Sequence, residues 1–195
     1  AIKILKSGEK NAILIQSDNE PAIQVTKGGL LFNGNTGAIP MTGAGTRLMW
    51  YPADSAFRAG YVDSTQWNDG SIGNYSTAFG NNTTASGVNS TAMGNNTIAS
   101  GLNSTAMGTN TRAIGSYSTA LGGGGGVWTD ASGNYSTAIG WDTVASGASS
   151  IALGQFVTAG SAANTIAIGK GVSSGNNLLN NTANSFMVVF DRTVP

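Results

Sequence analysis

The sequence contains no cysteine and no histidine, and only 9% of its 195 residues are charged, compared with about 25% in an ordinary domain. The absence of cysteine excludes a disulfide framework. The absence of both residue types excludes serine–histidine triads, cysteine nucleophiles and the usual zinc sites. No apolar run approaches the ~18 residues that a membrane-spanning helix requires. These absences argue against an enzyme and give no reason to expect a cofactor or a metal.

The few charges are unevenly distributed. Twelve of the eighteen charged residues come before residue 70, and between residues 71 and 169 only Arg112, Asp130 and Asp142 carry charge. Nucleic-acid binding needs a Lys/Arg footprint, and anionic membrane surfaces attract basic clusters. We therefore expect neither nucleic acid nor a membrane as a partner. The chain starts with alanine rather than methionine and has no signal peptide, which suggests a fragment or a processed product.

A fixed repeat dominates the sequence from about Asn74 to Gly175. The phrase Ser-Thr-Ala-x-Gly and its variants recur with steps of 14, 14, 14, 18, 14 and 15 residues between successive alanines. Those alanines are Ala78, Ala92, Ala106, Ala120, Ala138, Ala152 and Ala167. A fixed period of this kind predicts a repeat architecture, and 14 residues are too few for a helical crossover unit.

Each 14-residue unit predicts one coil of a β-solenoid. Residue types alternate within Ser-Thr-Ala-x-Gly, which is the period-2 pattern of a short strand, and the intervening Asn and Gly favour tight turns. Coils stacked about 4.8 Å apart place the alanines in an inward column, and we expect Ser, Thr and Asn as their outer neighbours. The protein is thus predicted to be all-β, with two short strands and two turns in each coil.

The repeat also predicts an apolar stripe, because the variable residue of each phrase is apolar. These residues are Phe79, Met93, Met107, Leu121, Ile139, Leu153 and Ile168. So thin a coil buries little apolar area, and each coil needs neighbours to offset its ordering entropy. We therefore expect the stripe to meet the same stripe on other copies of the chain, in a cyclic oligomer around a shared axis.

Two phrases carry a family resemblance: Ser150-Ile151-Ala152-Leu153-Gly154 and Thr165-Ile166-Ala167-Ile168-Gly169, with the Asn-Ser-Thr-Ala-Met-Gly phrases before them. They resemble the head repeats of trimeric autotransporter adhesins, the YadA-like heads, as also found in bacterial and phage-type tail fibre proteins. The resemblance implies a homotrimer of left-handed parallel β-rolls lying side by side, with the apolar stripe in the trimer core. Five phrases depart from the family, which usually has Val or Ile at the position of Thr77, Thr91, Thr105, Thr119 and Thr137.

The segments on either side of the β-roll region, residues 73–175, differ in composition. Short β-rich runs punctuated by Gly, Asn, Asp and Pro make residues 1–40 either an intertwined β shaft or a small independent β domain. Residues 41–72 form an aromatic collar or cap, and residues 176–195 form a short neck and exit strand. In that neck, the apolar run 186–190 predicts a strand that is either buried or shared between chains.

The aromatic residues of the collar have two interpretations. Trp50, Tyr51 and Trp67 lie near turns and charges, as they would in a ligand site. Alternatively, they form a hydrophobic plug, because the end of a solenoid exposes unpaired strand edges and needs a cap. We favour the plug.

One irregularity interrupts the repeat, because the period is four residues too long between Leu121 and Asn134. Insertions into a solenoid emerge as loops on one face, often the binding face. We therefore predict that a Gly-rich loop near residues 123–130 contacts a partner. The predicted contact residues are Val127, Trp128, Asp130 and, one coil further on, Trp141. The alternative is a harmless insertion in which Trp128 folds back on the rod.

The function that we expect is a non-enzymatic, homotrimeric fibre module that mediates attachment. Its partners would be its own copies and a cell-surface protein or glycan receptor. Its location would be extracellular, either on a cell surface or at the distal end of a phage-like or contractile particle. Three linked copies would add avidity.

Two other functions compete with attachment. A tail-associated glycan hydrolase would need two suitably spaced carboxylates, for which Asp54, Asp63 and Asp69 are the collar candidates, although solvated turn carboxylates are the simpler explanation. An ice-binding face or a purely structural spacer would use the Thr column of the repeats. That column gives way to Ile151 and Ile166 in the later coils, and Thr ladders also stack simply as cross-strand pairs.

Overall fold

The computed structural model describes residues 37–124 and 126–189 of the chain. Contacts divide the chain into two units, residues 1–33 and 34–195, and the fold described below belongs to the second. The predicted shaft segment, residues 1–40, lies outside the described residues except for its last four. The last six residues of the predicted neck also lie outside them.

The described residues form strands, turns and one short 3-10 helix at Asp69–Ser71. The strands, in chain order, are β1 Gly45–Tyr51, β2 Ala56–Val62, β3 Thr77–Asn81, β4 Thr84–Ala85, β5 Thr91–Ala99, β6 Thr105–Ala113, β7 Thr119–Gly122, β8 Thr129–Ala131, β9 Thr137–Ala145, β10 Ile151–Ala159, β11 Thr165–Lys170, β12 Leu178–Asn180 and β13 Ser185–Val189. The all-β prediction is confirmed.

From β2 onward the strands stack in parallel as the coils of a β-solenoid. Each of the nine-residue strands β5, β6, β9 and β10 contains both straight segments of a coil, with a corner at a positive-φ glycine and a positive-φ residue two positions later. Equivalent residues pair in register, so that Ala92 lies opposite Ala106 and Ala99 opposite Ala113. The predicted solenoid of about seven coils with 14-residue spacing is therefore confirmed.

The interior of the solenoid is narrow and is lined by small residues. Two alanine columns, one from each straight segment, are completely buried and run from Ala78 to Ala167 and from Ala85 to Ala159. The serine of each phrase is also inside, as at Ser104, so the expectation that serine lies outside was wrong. The reason is the alternation of side chains in a strand. Serine and alanine are two residues apart, and residues two positions apart point to the same face.

Close approach between coils explains the glycines of the repeat. Gly94 has φ +126°, and a Cβ atom added to it would lie 1.9 Å from the carbonyl oxygen of Gly108 in the next coil. At the opposite turn, a Cβ atom on Gly101 would lie 2.0 Å from the carbonyl oxygen of Gly115. Neighbouring coils therefore touch backbone to backbone at both turns, where only glycine fits.

The two described ends of the solenoid differ from its middle. At the first end β1 pairs antiparallel with β2, which continues in parallel onto β3. Arg58 of β2 takes the alanine-column position opposite Ala78 and is completely buried. At the last end β13 pairs with β11 and leaves Phe186 65% exposed. Residues 185–189 of the exit strand are therefore half-buried or exposed in the single chain, which corrects the buried alternative for these residues, and a strand shared between chains stays a prediction.

Candidate functional site: the insertion corner

The two longer loops of the solenoid emerge at the same corner of the coil. In a regular coil only a few residues, such as Gly94 to Asn96, connect the two straight segments. Residues 123–128 replace this connection between β7 and β8, and residues 171–177 replace it between β11 and β12. We call this edge, formed by the two loops and the corner residues 141–142 and 155–156 between them, the insertion corner.

The first loop is the predicted four-residue insertion. The register confirms its length, because Arg112 pairs with Asp130, eighteen residues later. Trp128 is half-buried, with its ring 4.8 Å from the Arg112 guanidinium carbon. Arg112 also forms an ion pair with the carboxylate of Asp130, which is only 8% exposed. Trp128 thus folds back on the rod, as in the second of the two alternatives.

Val127 and Trp141 are the other predicted contact residues at this corner. Val127 is half-buried and closes the first loop through a bridge to Gly124. Trp141 is 44% exposed, and its ring centroid lies 5.6 Å from that of Phe156 in the following coil. Sequence reasoning missed Phe156, although it stands at the positive-φ corner position that Asn96 holds in a regular coil.

The second loop was also missed, and it borders a pocket. Hydrogen bonds from the Asn176 amide to the Ser173 carbonyl, at 2.9 Å, and from the Val172 amide to the Asn176 carbonyl, at 3.1 Å, close the loop as a small hairpin. The pocket has a volume of about 380 Å³. It is lined by Asp142, Thr158, Ser174, Gly175, Asn176, Asn177 and Leu179.

The collar residues lie at the first end of the solenoid, away from the insertion corner in sequence. Trp67 is completely buried, and its indole nitrogen donates a hydrogen bond of 2.8 Å to the Thr83 carbonyl. Tyr51 is 6% exposed, and its hydroxyl donates a hydrogen bond of 2.7 Å to Asp69. Trp50 is half-buried. Burial of two of the three aromatic rings supports the plug interpretation over a ligand site.

The collar carboxylates take part in structural contacts. Asp63 accepts hydrogen bonds from the side chains of Gln66 and Asn82, both 2.8 Å long, and these bonds hold its pKa below the ordinary value. Burial raises the pKa of Asp54, and the neighbouring Asp69 carboxylate raises it further. These contacts favour a structural role in the cap for the three carboxylates over a catalytic one.

The apolar stripe lies on the outer face of the first straight segment, beside the Thr column. Its seven residues stack in register from Phe79 to Ile168. They are half-buried or more exposed, with Met107 at 37% and Ile139 at 38%. We call the stripe and the adjoining column from Thr77 to Ile166 the stripe face.

These observations define a class of protein, the parallel β-solenoids with 14-residue coils, an alanine core and an apolar outer stripe. Within that class, residues 71–97, 99–124 and 131–156 match the family described as YadA head domain repeat (2 copies). Residues 71–156 therefore carry YadA head repeats, which confirms the resemblance seen in the sequence. The interruption between the last two matches, residues 125–130, covers most of the first loop and the start of β8.

The family places the repeat region in a known context. YadA-type heads form homotrimers in general, belong to surface-exposed adhesins and are generally non-enzymatic. No curated protein matches the chain. Among the residues that the structure describes, no helix has the length and apolar character needed to cross a bilayer.

Proposed function

We propose that this chain is a non-enzymatic, homotrimeric fibre module that attaches a cell or a particle to a surface receptor. The observation that carries the proposal is the stripe face, on which seven apolar side chains in register are left partly exposed by a single chain. Contiguous apolar surface of this kind marks protein interaction sites.

The energetics of the coil favour association through that face. The interior of each coil contributes mainly alanine, serine and threonine, so the larger apolar side chains of the repeat are the ones outside. Burying apolar surface contributes about 25 cal/mol per Å², and the stripe repeats along the whole rod. A threefold axis brings the stripes of three chains together. The resulting trimer is closed, and each chain's stripe is buried in it.

The oligomeric state tests this part of the proposal. We expect light scattering on a size-exclusion column to give a mass three times that of the 19.6 kDa chain. Ile139→Glu places a charge in the stripe and should yield monomers, because a buried unpaired charge is costly. Val144→Glu, on the outer face of the other straight segment of the same strand, should leave the trimer intact. A monomeric wild-type chain, or a trimer unaffected by Ile139→Glu, would overturn the shared-axis assembly.

For attachment, we propose that the insertion corner presents the contact residues. Trp141 is exposed there beside two loops, in the position where solenoid insertions often bind, and three copies add avidity. Fluorescent trimer should bind a subset of a panel of bacterial and animal cells in flow cytometry. Trp141→Ala should reduce that binding, whereas Tyr75→Ala, which removes a 64% exposed ring at the opposite turn, should not. Binding to no cell type above that of an inert protein of similar size would contradict the attachment role.

A further inference from the structure

The pocket beside the second loop contains a carboxylate without a partner. Asp142 is 8% exposed and lines the pocket, and among the described residues no hydrogen bond or ion pair involves its side chain. A carboxylate in this position can accept hydrogen bonds from a molecule that enters the pocket. The pocket therefore presents an acceptor that is ready for a donor from outside the chain.

Other polar groups surround Asp142. The Asn177 amide donates to the Thr158 hydroxyl at 3.1 Å, which leaves the Asn177 side-chain oxygen buried and without a donor among the described residues. Ser174 and Asn176 on the loop are exposed, so that their hydroxyl and amide groups are accessible from solvent. The lining thus offers both acceptors and donors, concentrated on one small concavity.

Apolar surface adjoins these polar groups. Leu179 lines the pocket and is 54% exposed. Trp141 is not part of the lining but directly precedes Asp142 in the chain, is 44% exposed and packs against Phe156. Binding sites for small polar molecules combine such apolar contact surfaces with a few placed hydrogen-bonding groups, in clefts of about 300–1,000 Å³. The volume of about 380 Å³ lies in that range.

We propose that this pocket binds a saccharide unit of a surface glycan, with Asp142 accepting hydrogen bonds from its hydroxyl groups. The inference rests on the proposed attachment role and names the receptor class for it. A sugar ring supplies several hydroxyl donors, which match the Asp142 carboxylate, and has apolar C–H faces, which match the exposed side chain of Leu179. A bare cation fits less well, because it needs several oxygens converging at about 2.0–2.6 Å, and the described residues contain no group of three or more acidic or histidine ligands.

The test uses the full chain on an array of immobilised bacterial and animal glycans. The methyl glycoside of the terminal sugar of the strongest ligand is then titrated by isothermal calorimetry. Asp142→Asn should weaken its affinity by at least about tenfold, because hydrogen bonds to charged acceptors are the strong ones. This variant should fold normally, since Asn occupies the equivalent positive-φ corner position at Asn96 and Asn110. Asp63→Asn makes the same change at an exposed residue of the collar, far from the pocket in sequence, and should leave the affinity unchanged.

The outcomes separate this inference from the attachment role. The saccharide site is overturned if no glycan binds, if Asp142→Asn binds as well as the wild type, or if calcium alone binds at Asp142 and no sugar does. Should the trimer attach to cells equally with and without Asp142→Asn, the pocket proposal fails and attachment stands. Should the chain bind the methyl glycoside yet attach to no cell, the pocket proposal stands and the attachment role fails.

Discussion

Arg58 donates a hydrogen bond of 3.0 Å from a terminal guanidinium nitrogen to the carbonyl oxygen of Ala85, across the interior of the first coil. The same guanidinium donates to the carbonyl oxygens of Phe57 and Ser76, both at 2.9 Å, and to the Ser76 hydroxyl at 2.7 Å. Burial lowers the pKa of Arg58 to about 10, with the nearby Asp54 carboxylate acting in the opposite direction. The arginine therefore remains charged at neutral pH. Its guanidinium occupies the end of the solenoid interior and donates hydrogen bonds to the polar groups there.

Removing the side chain of Arg58 should destabilise the fold. Arg58→Ala opens a cavity at the end of the alanine column and removes four hydrogen bonds, with an expected loss of about 2–4 kcal/mol. Urea unfolding at a fixed protein concentration measures the loss, because association would otherwise shift the midpoint. Lys170→Ala, which truncates an exposed cation, should change stability by less than about 0.5 kcal/mol. Equal midpoints for the two variants would show that Arg58 does not hold the cap.

Gly94 should tolerate no side chain. The Cβ atom of Gly94→Ala would meet the Gly108 carbonyl oxygen at 1.9 Å, and alanine would also be strained at φ +126°. Because a neighbouring coil must move, we expect a loss of about 3 kcal/mol or more in urea unfolding. Gly70→Ala is the matched control, since a Cβ atom there meets no atom within 4 Å. If Gly94→Ala were as stable as Gly70→Ala, the coils could not be packed as closely as described.

The repeat period predicted most of the fold, because parallel coils place equivalent residues directly above one another. The alanine phrases therefore predicted both the register and the length of the first insertion. The second loop escaped detection because the phrase degenerates after Ala167, whose partner in register is Met187, twenty residues later. A repeat cannot be recognised in the sequence where the alanine of its phrase is replaced and the spacing changes at the same time.

The position of Trp128 could not be predicted from the sequence for a different reason. Its ring lies over Arg112, which belongs to the previous coil and stands where other coils have Ile98 or Val144. A contact between residues so far apart in the chain leaves no local pattern. The Asp142 pocket was missed in the same way, because its walls come from three separate coils and only the fold brings them together.

The phenol of Tyr51 should titrate at a higher pH than an ordinary tyrosine. Its hydrogen bond to Asp69, together with burial, raises its pKa from 10.0 to about 12. Since the folded-state pKa is raised, the stabilisation is fully present below pH 10 and is lost as the pH rises from 10 to about 12. Tyrosinate absorbance should therefore show a transition at about pH 12 that Tyr51→Phe removes and Tyr75→Phe retains. The stability of Tyr51→Phe should also fall less steeply than that of the wild type between pH 10 and 12. A transition at about pH 12 that survives in Tyr51→Phe would contradict the hydrogen bond.

The Arg112–Asp130 pair should behave as a coupled unit. Arg112→Val leaves the Asp130 carboxylate, whose side chain is 11% exposed in the intact pair, without its partner, and it removes the cation beside the Trp128 ring. We expect a loss of about 1–3 kcal/mol, reduced from that of a fully buried pair because the Arg112 side chain is 36% exposed. Adding Asp130→Val should recover much of the loss, since the column then continues with apolar residues between Ile98 and Val144. Urea unfolding of both single variants and the double variant gives the coupling free energy. A double variant no more stable than Arg112→Val would mean that the carboxylate carries no cost when unpaired, and that the ion pair does not explain how the first loop is held against the rod.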